Sequence, residues 1–468
     1  MNKIMKAVSL KNIILIAGVA GTLMACSTSR HYHRQTGNTD GLFGDTVTTD
    51  SVTMADMPWQ ELMTDPYLKE LIEEGLKSNL DLKISIQSVL AAEAYLSQSK
   101  AALWPSLSLG ADGTYVRYSK AVYPNNPTFA HGEDLTLTSS WEIDIWGKLR
   151  GEKRAAYANL LSSDAGRKAV QTRLISNIAS SYYSLLALDR QLAITRQTVK
   201  NNMDLVETMK ALKENGQVTG AAVVQSEASR YAAEVTIPDL EQQITEMENT
   251  IDLLLGRNPG TRVKRGTLTD QQINNQIRTG VPSQLLDNRP DVMQAEYAVI
   301  SAYETTNSAR AYFYPALTIT ASGGFEAIDL GDLLKPENMA INLLGGLTQP
   351  IFNRKANSTR LRVAKTQQEK ALLSFQSALL NAGREVQNAL SSYQTATDKM
   401  DLRKKQLEAL NKSVSYTKEL LTYGSANYTE VLTAQQSLLA AQLNDVNDHL
   451  QQLNAVVNLY RSLGGGWK

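Results

Sequence analysis

The sequence predicts a mainly helical protein with a few β-strands, built as two tandem copies of one unit. A phrase at Ala102–Gly110, ALWPSLSLG, recurs at Ala311–Thr320 as AYFYPALTIT, so that Pro105 and Pro315 stand 210 residues apart. In both copies the apolar residues have helical spacing before the proline and alternate with polar residues after it. Because proline pushes its preceding residue out of the helical region, each proline is a natural helix stop.

The duplication extends well beyond these prolines. Lys213–Gly216 matches Leu421–Gly424 at an offset of 208 residues, in a segment that reads as a turn in both copies. A period near 200 residues indicates a duplicated unit and not a solenoid of short repeats. The predicted copies cover residues 58–262 and 263–468.

After each proline, the sequence predicts a pair of strands with one apolar and one polar face. In the second strand of the first copy, Leu135, Leu137 and Trp141 alternate with Asp134 and Thr136. Strands of about ten residues with this alternation suit a tilted outer-membrane barrel strand, with lipid on one side and water on the other. A soluble sandwich shows the same alternation, but the acidic and threonine-rich polar faces favour the barrel. The predicted strands are at about 106–118, 133–146, 316–328 and 338–349.

Four strands are too few to close a barrel, for which about eight is the practical minimum. An open sheet edge in hydrocarbon leaves backbone groups without hydrogen bonds. Several chains must therefore share one barrel. Two chains would supply eight strands and three would supply twelve, and strand counting alone does not choose between them.

The rest of the chain is predicted to be helical over unusual lengths. Residues 151–212 and 356–423 contain no proline and little glycine, and sixty helical residues span roughly 90 Å. Large apolar residues are sparse, which suits a narrow coiled-coil seam or a hollow wall wetted on both sides. Shorter return helices are predicted at 220–255 and 428–463, with a kink at Pro238.

Residues 1–25 are predicted to be an export signal, because three lysines precede an apolar stretch too short to span a membrane. Leu23–Cys26 resembles the bacterial lipoprotein cleavage box, so we expect a covalent lipid on Cys26. Ordinary cleavage nearby, with Cys26 left as a stray thiol, is the alternative. Cys26 is the only cysteine, so no internal disulfide can form. Residues 26–57 would then be a lipidated N-terminal tether.

The charge balance argues against nucleic acid as a partner. The chain has 47 Lys and Arg against 47 Asp and Glu, and loss of the three signal lysines leaves a formal charge of −3. Nucleic-acid binding normally needs a basic surplus. The mature sequence has no run of 18 or more apolar residues, so we expect any membrane crossing to use β-strands.

The sequence offers little for catalysis or metal binding. His131 and His449 are isolated, while His31 and His33 lie in the predicted tether, where we interpret them as incidental. There is no nucleophile elbow, no histidine pair at helical ligand spacing and no phosphate-binding glycine loop. We predict no enzyme, no metal site and no cofactor beyond the lipid. A barrel-anchored trimeric coiled-coil stalk is disfavoured, because strands interrupt the helices twice.

Several short phrases occur along the chain in an order and spacing that are jointly specific. They are WQEL at 59–62, DPYL at 65–68, LLLGRNPG at 253–260, RPDVMQAE at 289–296 and VLTAQ at 431–435. Over nearly the whole mature chain they resemble the TolC-like outer-membrane efflux channels, in particular their OprM/NodT-type lipoprotein branch. The resemblance implies a homotrimer whose 12-stranded outer-membrane β-barrel, with four strands per chain, continues into a long α-helical periplasmic tunnel.

The resemblance also implies a function and partners. The chain would be the passive exit duct of a tripartite efflux system in the bacterial outer membrane, for drugs, toxic compounds or metals. A periplasmic adaptor protein would join it to an inner-membrane pump of the resistance-nodulation-division (RND) type. A type I secretion duct for polypeptides is the alternative.

The family pattern places functional residues near the two helical turns. Its acidic gate positions fall on Glu430 and Thr433, of which only Glu430 is acidic, so Thr433 departs from the family pattern and the sequence leaves a second acidic ring open. Glu430 could equally be a solvated acid near a helix N-terminus. The turns would contact the adaptor, although their glycines could also be ordinary turn residues. The candidate contact residues are Gly216, Gln217, Val218, Thr219, Gly220, Tyr423, Gly424, Ser425, Asn427 and Tyr428.

Overall fold

A computed structural model describes residues 32–34, 42, 52–271 and 278–468 of the chain. The predicted export signal and Cys26 lie outside these residues, as does most of the predicted tether.

Four antiparallel strands form one sheet in the order β1-β2-β3-β4. Their bounds are β1 Ser106–Arg117, β2 Phe129–Ile143, β3 Ala316–Ala327 and β4 Met339–Thr348. The second strand starts and ends a few residues before the predicted 133–146. It ends early because Asp144 accepts backbone hydrogen bonds from Leu149 and Arg150 at the start of the following helix, at 3.1 and 2.9 Å. A carboxylate is well placed there, since the first turn of a helix has free N–H groups.

The register collects most of the apolar side chains of all four strands on one face. Leu137 lies opposite Leu109 of β1 and Gly323 of β3, and Gly323 lies opposite Ile341 of β4. Because directly opposed residues point to the same side of a sheet, the alternation predicted for each strand adds up across the sheet. Many of the apolar residues are strongly exposed, with Ile341 at 75% and Leu109 at 69%. The sheet therefore has one apolar and one polar face.

Eight helices of ten or more residues make up most of the described chain. They are α1 Pro66–Ser78, α2 Leu80–Ala101, α3 Lys148–Glu214, α4 Gly220–Glu234, α5 Thr236–Leu255, α6 Pro290–Ala311, α7 Ala356–Thr422 and α8 Tyr428–Ser462. Short helical turns occupy Met54–Asp56, Trp59–Leu62, Leu268–Asp270, Pro282–Gln284, Leu285–Asn288, Leu330–Asp332 and Pro336–Asn338. No helix among the described residues is long and apolar enough to cross a membrane.

The prolines act as the sequence predicts. Helices α2 and α6 end four residues before Pro105 and Pro315, and a strand begins directly after each proline. The predicted kink in the first return helix is a break between α4 and α5 at Val235, three residues before Pro238. Proline has no N–H, and its ring clashes with the carbonyl four residues earlier, which weakens the preceding turn. The second return helix, α8, has no proline and is continuous.

The chain divides into two compact units that do not follow the tandem copies. Among the described residues, one contains 32–34, 88–163 and 294–375, and with them the sheet. The other contains 42, 52–87, 164–271, 278–293 and 376–468, and with them both helical turns. Each unit therefore takes segments from both copies. The second unit has a core of fully buried large side chains, which includes Tyr182, Ile175, Ile178, Leu185 and Tyr460.

The predicted tether does not behave as a free linker over its last residues. Met54 and Ala55 are buried, and the Met54 N–H donates to the carbonyl of Arg278 at 2.9 Å. The Tyr460 hydroxyl donates to the carbonyl of Met57 at 2.7 Å. The last residues of the predicted tether, 53–57, therefore belong to the fold, because apolar side chains there find a buried site that sequence composition did not reveal.

Candidate functional site: the paired helical turns

The turn between α3 and α4 closes with a left-handed glycine. Gly216 has φ of +73°, and its N–H donates to the Lys213 carbonyl at 2.9 Å. The N–H of Gln217 donates to the Leu212 carbonyl at the same distance. These two bonds form a Schellman motif, which satisfies the last carbonyls of a helix and favours glycine at the left-handed position.

The turn between α7 and α8 repeats this geometry 208 residues later. Gly424 has φ of +72°, and its N–H donates to Leu421 at 3.0 Å, while Ser425 donates to Leu420 at 2.9 Å. The duplicated sequence therefore encodes the same helix termination twice. The N-caps of the following helices differ, since the Asn427 side chain accepts a bond from the Thr429 N–H at 3.3 Å and Thr219 makes no such bond.

One apolar cluster joins the two turns. It draws residues from α3, α4, α7 and α8, and Val218 and Tyr428 from the turns pack against it. Its buried members are Leu205, Met209, Ala222, Val223, Leu421, Val431 and Leu432. The structure thus brings together the two segments that the sequence singled out. We refer to residues 216–220 and 423–428 as the paired turns.

Polar contacts also connect the helices beside the paired turns. The Tyr428 hydroxyl donates to Oε1 of Gln225 in α4 at 3.2 Å. Lys210 Nζ of α3 lies 3.0 Å from Glu207 Oε1 and 3.8 Å from Glu227 Oε1 of α4. The hydrogen bond to Glu207 raises the pKa of Lys210 above its ordinary value. These contacts are exposed, so the apolar cluster holds the helices together more strongly than they do.

The predicted adaptor-contact residues are largely accessible. Tyr423 is 75% exposed, and a side chain at Gly216 or Gly424 would meet no described atom within 4 Å. Val218 and Tyr428 are half-buried because their side chains also pack on the cluster. The remaining predicted contact residues are exposed, namely Gln217, Thr219, Gly220, Ser425 and Asn427.

The two predicted gate residues lie on the first turns of α8, and both are exposed. Glu430 is in the first turn, where the helix dipole favours a negative charge. The Thr433 hydroxyl donates to the Thr429 carbonyl at 2.8 Å, so its polar group is bonded within its own helix. The Glu430 carboxylate has no hydrogen-bond or ion-pair partner among the described residues.

A row of acidic residues crosses the polar face of the sheet. Asp112 lies opposite Asp134, and Asp134 lies opposite Glu326 on the next strand. The separate sequence patterns did not reveal this row, because only the register aligns the three positions. No group of histidine, cysteine or acidic residues within the described ranges could hold a metal ion.

These observations define a class of protein. A small sheet has one apolar and one polar face, and two long helical hairpins end in matched turns, which together are typical of outer-membrane channels with a helical extension. The sequence profile described as "Outer membrane efflux protein" matches residues 71–257 and 281–465. The chain belongs to the outer membrane efflux protein family.

Individual relatives agree with this assignment. The chain is 29% identical over 416 residues to the cation efflux system protein CusC of Escherichia coli O6:H1, covering 88% of each chain. It is 28% identical over 473 residues to the probable outer membrane lipoprotein SilC of Salmonella typhimurium, covering 99% of each. The open outer-membrane channel MtrE of Neisseria gonorrhoeae superposes with a TM-score of 0.85 at 24% identity, covering 95% of this chain and 99% of MtrE.

The predicted family, fold class and general function are thereby confirmed. The fold is that of the trimeric TolC-like channels, with four barrel strands and long tunnel helices in each chain. The protein is an outer-membrane component of an efflux system, and its family consists of channels and not of enzymes.

Proposed function

We propose that this protein is the passive exit duct of a tripartite efflux system for small molecules. An inner-membrane pump of the RND type would supply the energy, and a periplasmic adaptor would join the pump to the duct. The chain would form a homotrimer and carry a lipid on Cys26. These features go beyond family membership, and the trimer, the adaptor contact, the cargo and the lipid each have their own test.

The observation that carries the proposal is the open sheet. Strands β2 and β3 pair on both sides, whereas β1 and β4 are the edges of the four-stranded sheet. One face is apolar and the other polar, as lipid and a water-filled pore require. In a bilayer the edge strands need hydrogen-bonding partners, and another copy of the chain can supply them. Pairing of β4 with β1 of the next copy would close a ring.

Three copies suit the proposal best. Two copies would make an eight-stranded barrel whose interior is filled by side chains, whereas twelve strands leave a wider lumen. The test is the native mass of the protein in mild detergent, corrected for bound detergent. A mass of three chains is expected. A stable monomer or dimer would contradict both the shared barrel and the duct.

The paired turns are the proposed adaptor contact. They are exposed, they repeat the same geometry in each chain, and a trimer would present six of them. Such a repeated surface suits a partner that binds around the end of a tunnel. Cross-linking from cysteine introduced at Gln217 or Ser425 to a co-purified adaptor would test this assignment. Absence of cross-links at both positions would move the contact elsewhere.

The cargo is proposed to be small molecules as a class. Relatives are named for cation efflux, toluene efflux and antibiotic efflux at similar identities of 26–29%, so similarity does not single out one cargo. In a deletion strain we expect sensitivity to drugs, solvents or metal ions to rise, with restoration by the plasmid-borne gene. Unchanged sensitivity together with loss of a secreted polypeptide would favour type I secretion instead.

The proposed lipid rests on the sequence at Leu23–Cys26 and on the relative named as a lipoprotein. Cells expressing the protein would be grown with a clickable palmitate analogue. Cys26→Ala should abolish labelling, while Ser27→Ala, a change at the neighbouring residue, should retain it. Equal labelling of both variants would refute acylation at Cys26.

A further inference from the structure

A polar cavity lies between α3, α7 and α8, apart from the paired turns and the sheet. Its volume is about 390 Å³, within the size range of small-molecule sites. No part of the proposed duct function uses it. Two features of its walls, the sign of the charge and one unpaired amide, indicate what it could bind.

The cavity walls are positive. Arg190 of α3 and Lys418 of α7 line it, and neither side chain forms an ion pair or hydrogen bond with another described residue. No aspartate or glutamate is among the described residues that line it. Lys210 near the paired turns, by contrast, has acidic partners in Glu207 and Glu227. Two cations without acids nearby make a site that favours a negative group.

An unpaired amide from the third helix, α8, also lines the cavity. Both Nε2 and Oε1 of Gln435 in α8 are shielded from solvent and have no hydrogen-bond partner among the described residues. Burying an amide without a partner is unfavourable, and such groups are normally completed by water or a ligand. Gln435 lines this cavity and also a second one, of about 360 Å³. This leaves Nε2 as a hydrogen-bond donor without a described partner at the cavity wall.

The remaining walls include apolar surface. Ile194, Leu438 and Leu439 line the cavity together with the polar groups. A fully hydrated inorganic ion would leave this surface unused, whereas an anion with an aliphatic body would cover it. The combination of two cations, one free amide and an aliphatic wall suits an amphiphilic carboxylate.

We propose that the cavity between α3, α7 and α8 binds a small amphiphilic organic anion. Arg190 and Lys418 pair with the carboxylate, Gln435 donates a hydrogen bond to it, and the aliphatic wall covers the hydrocarbon part. Because the ligand contacts three helices, occupancy stabilises their packing by mass action. The proposal does not depend on the cargo or on the pump, since binding is measured without transport.

The test uses octanoate as the probe and the full-length protein in phosphatidylcholine nanodiscs. Equilibrium dialysis with radiolabelled octanoate should show saturable binding of about one molecule per chain, weakened by added salt. Octanol, the neutral analogue, should show only non-saturable partitioning into lipid. Absence of saturable octanoate binding to the unaltered protein would overturn the proposal.

Matched variants locate the site. The double variant Arg190→Gln/Lys418→Gln should bind octanoate about tenfold more weakly or worse, because charge-assisted bonds are lost. Lys200→Gln/Lys412→Gln removes the same charge from the same two helices outside the cavity and should bind normally. Gln435→Leu should weaken binding without any change of charge. Native mass and far-ultraviolet circular dichroism would establish that all variants fold. Equal affinity in the two double variants would overturn the assignment.

Discussion

The hydroxyl of Tyr428 donates a hydrogen bond to Oε1 of Gln225 at 3.2 Å. Tyr428 opens the return helix of the second copy, and Gln225 lies in that of the first. This bond therefore connects the duplicated hairpins beside the paired turns. If the duct opens by separation of these hairpins, the bond must break first.

Replacing Tyr428 by phenylalanine should make the proposed duct easier to open. Tyr428→Phe keeps the ring on the apolar cluster and removes only the bond, worth about 0.5–1.5 kcal/mol. We expect the population of the open state to rise a few-fold, measured as larger or more frequent currents in planar bilayers. Tyr416→Phe is the control, because Tyr416 is 61% exposed and its hydroxyl has no hydrogen-bond partner among the described residues. Currents identical to those of the unaltered protein would show that the bond does not restrain the tunnel.

If the proposed trimer is correct, Glu430 should help to close the tunnel. Three copies would place three of these carboxylates around one axis, where they attract cations and bond to neighbouring groups. Glu430→Ala should raise conductance and reduce cation preference, and Glu430→Gln should separate the effect of charge from that of size. Thr433→Val is the control, since the lost hydroxyl bonds only its own helix. An unaltered current in Glu430→Ala would remove this residue from the gate.

A substitution at Gly216 tests the adaptor contact without disturbing the fold. The site is open, so Gly216→Asp adds a charged side chain to the surface at a conformational cost of about 1 kcal/mol. We expect efflux to fall while the native mass of the assembly stays unchanged. Gly331→Asp, also an open position but in the β3–β4 connection, should leave efflux intact. Normal efflux in Gly216→Asp would place the adaptor elsewhere.

A substitution at Gly324 tests the register between β2 and β3. A Cβ at this position would overlap the Leu135 carbonyl oxygen and come within 2.8 Å of the Thr136 Cα on the neighbouring strand. Gly324→Val should therefore disrupt the β2–β3 pairing by about 1–3 kcal/mol or more and lower the amount of assembled protein in the outer membrane. Gly345→Val is the control, because Gly345 also lies in a strand but a Cβ there would have no described atom within 4 Å. Similar assembly of the two variants would contradict the register.

Arg289 provides a pH-dependent test of stability. Its side chain is 6% exposed, lies 3.0 Å from Asp291 Oδ1 and 2.9 Å from Glu385 Oε2, and donates to the Ser462 carbonyl at 2.8 Å. Burial raises the pKa of Asp291, but the hydrogen bond and charge of Arg289 outweigh it and hold that pKa below the ordinary 3.8. The stabilisation that ionised Asp291 contributes is therefore complete above pH 3.8, its ordinary pKa. It is lost as pH falls through the lower pKa that Asp291 has in the folded protein.

Arg289→Met should destabilise the protein by about 1–3 kcal/mol at pH 7, because it removes the charged hydrogen bonds to Asp291 and Glu385, whose side chains are 47% and 30% exposed, and leaves the Ser462 carbonyl without its donor. Thermal unfolding midpoints in detergent at pH 7 and pH 2 would measure this effect. The difference between the unaltered protein and Arg289→Met should shrink at pH 2, because the stabilisation from Asp291 is lost as pH falls through its lowered pKa. Arg196→Met removes an exposed pair with Glu241 and should have little effect at either pH. A difference independent of pH would exclude the ion pair as its cause.

The candidate site was predictable only in part. Gly216 and Gly424 indicated the turns, because glycine supplies the left-handed residue that ends a helix. Gln225 and Gln435 carried no such signal, since glutamine is common on helix surfaces and its partner lies on a distant segment. The cavity beside Arg190 and Lys418 was likewise invisible, because its walls come from three helices.

The sequence by itself determined the duplication, the helix stops at Pro105 and Pro315, the lengths of the long helices and the alternation within each strand. All of these depend on backbone geometry and on side-chain periods that repeat within a few residues. Only the tertiary structure decided that Asp112, Asp134 and Glu326 form one row, and that Tyr428 meets Gln225. Such contacts join residues far apart in the chain, and they arise only when strand register and helix packing have been set.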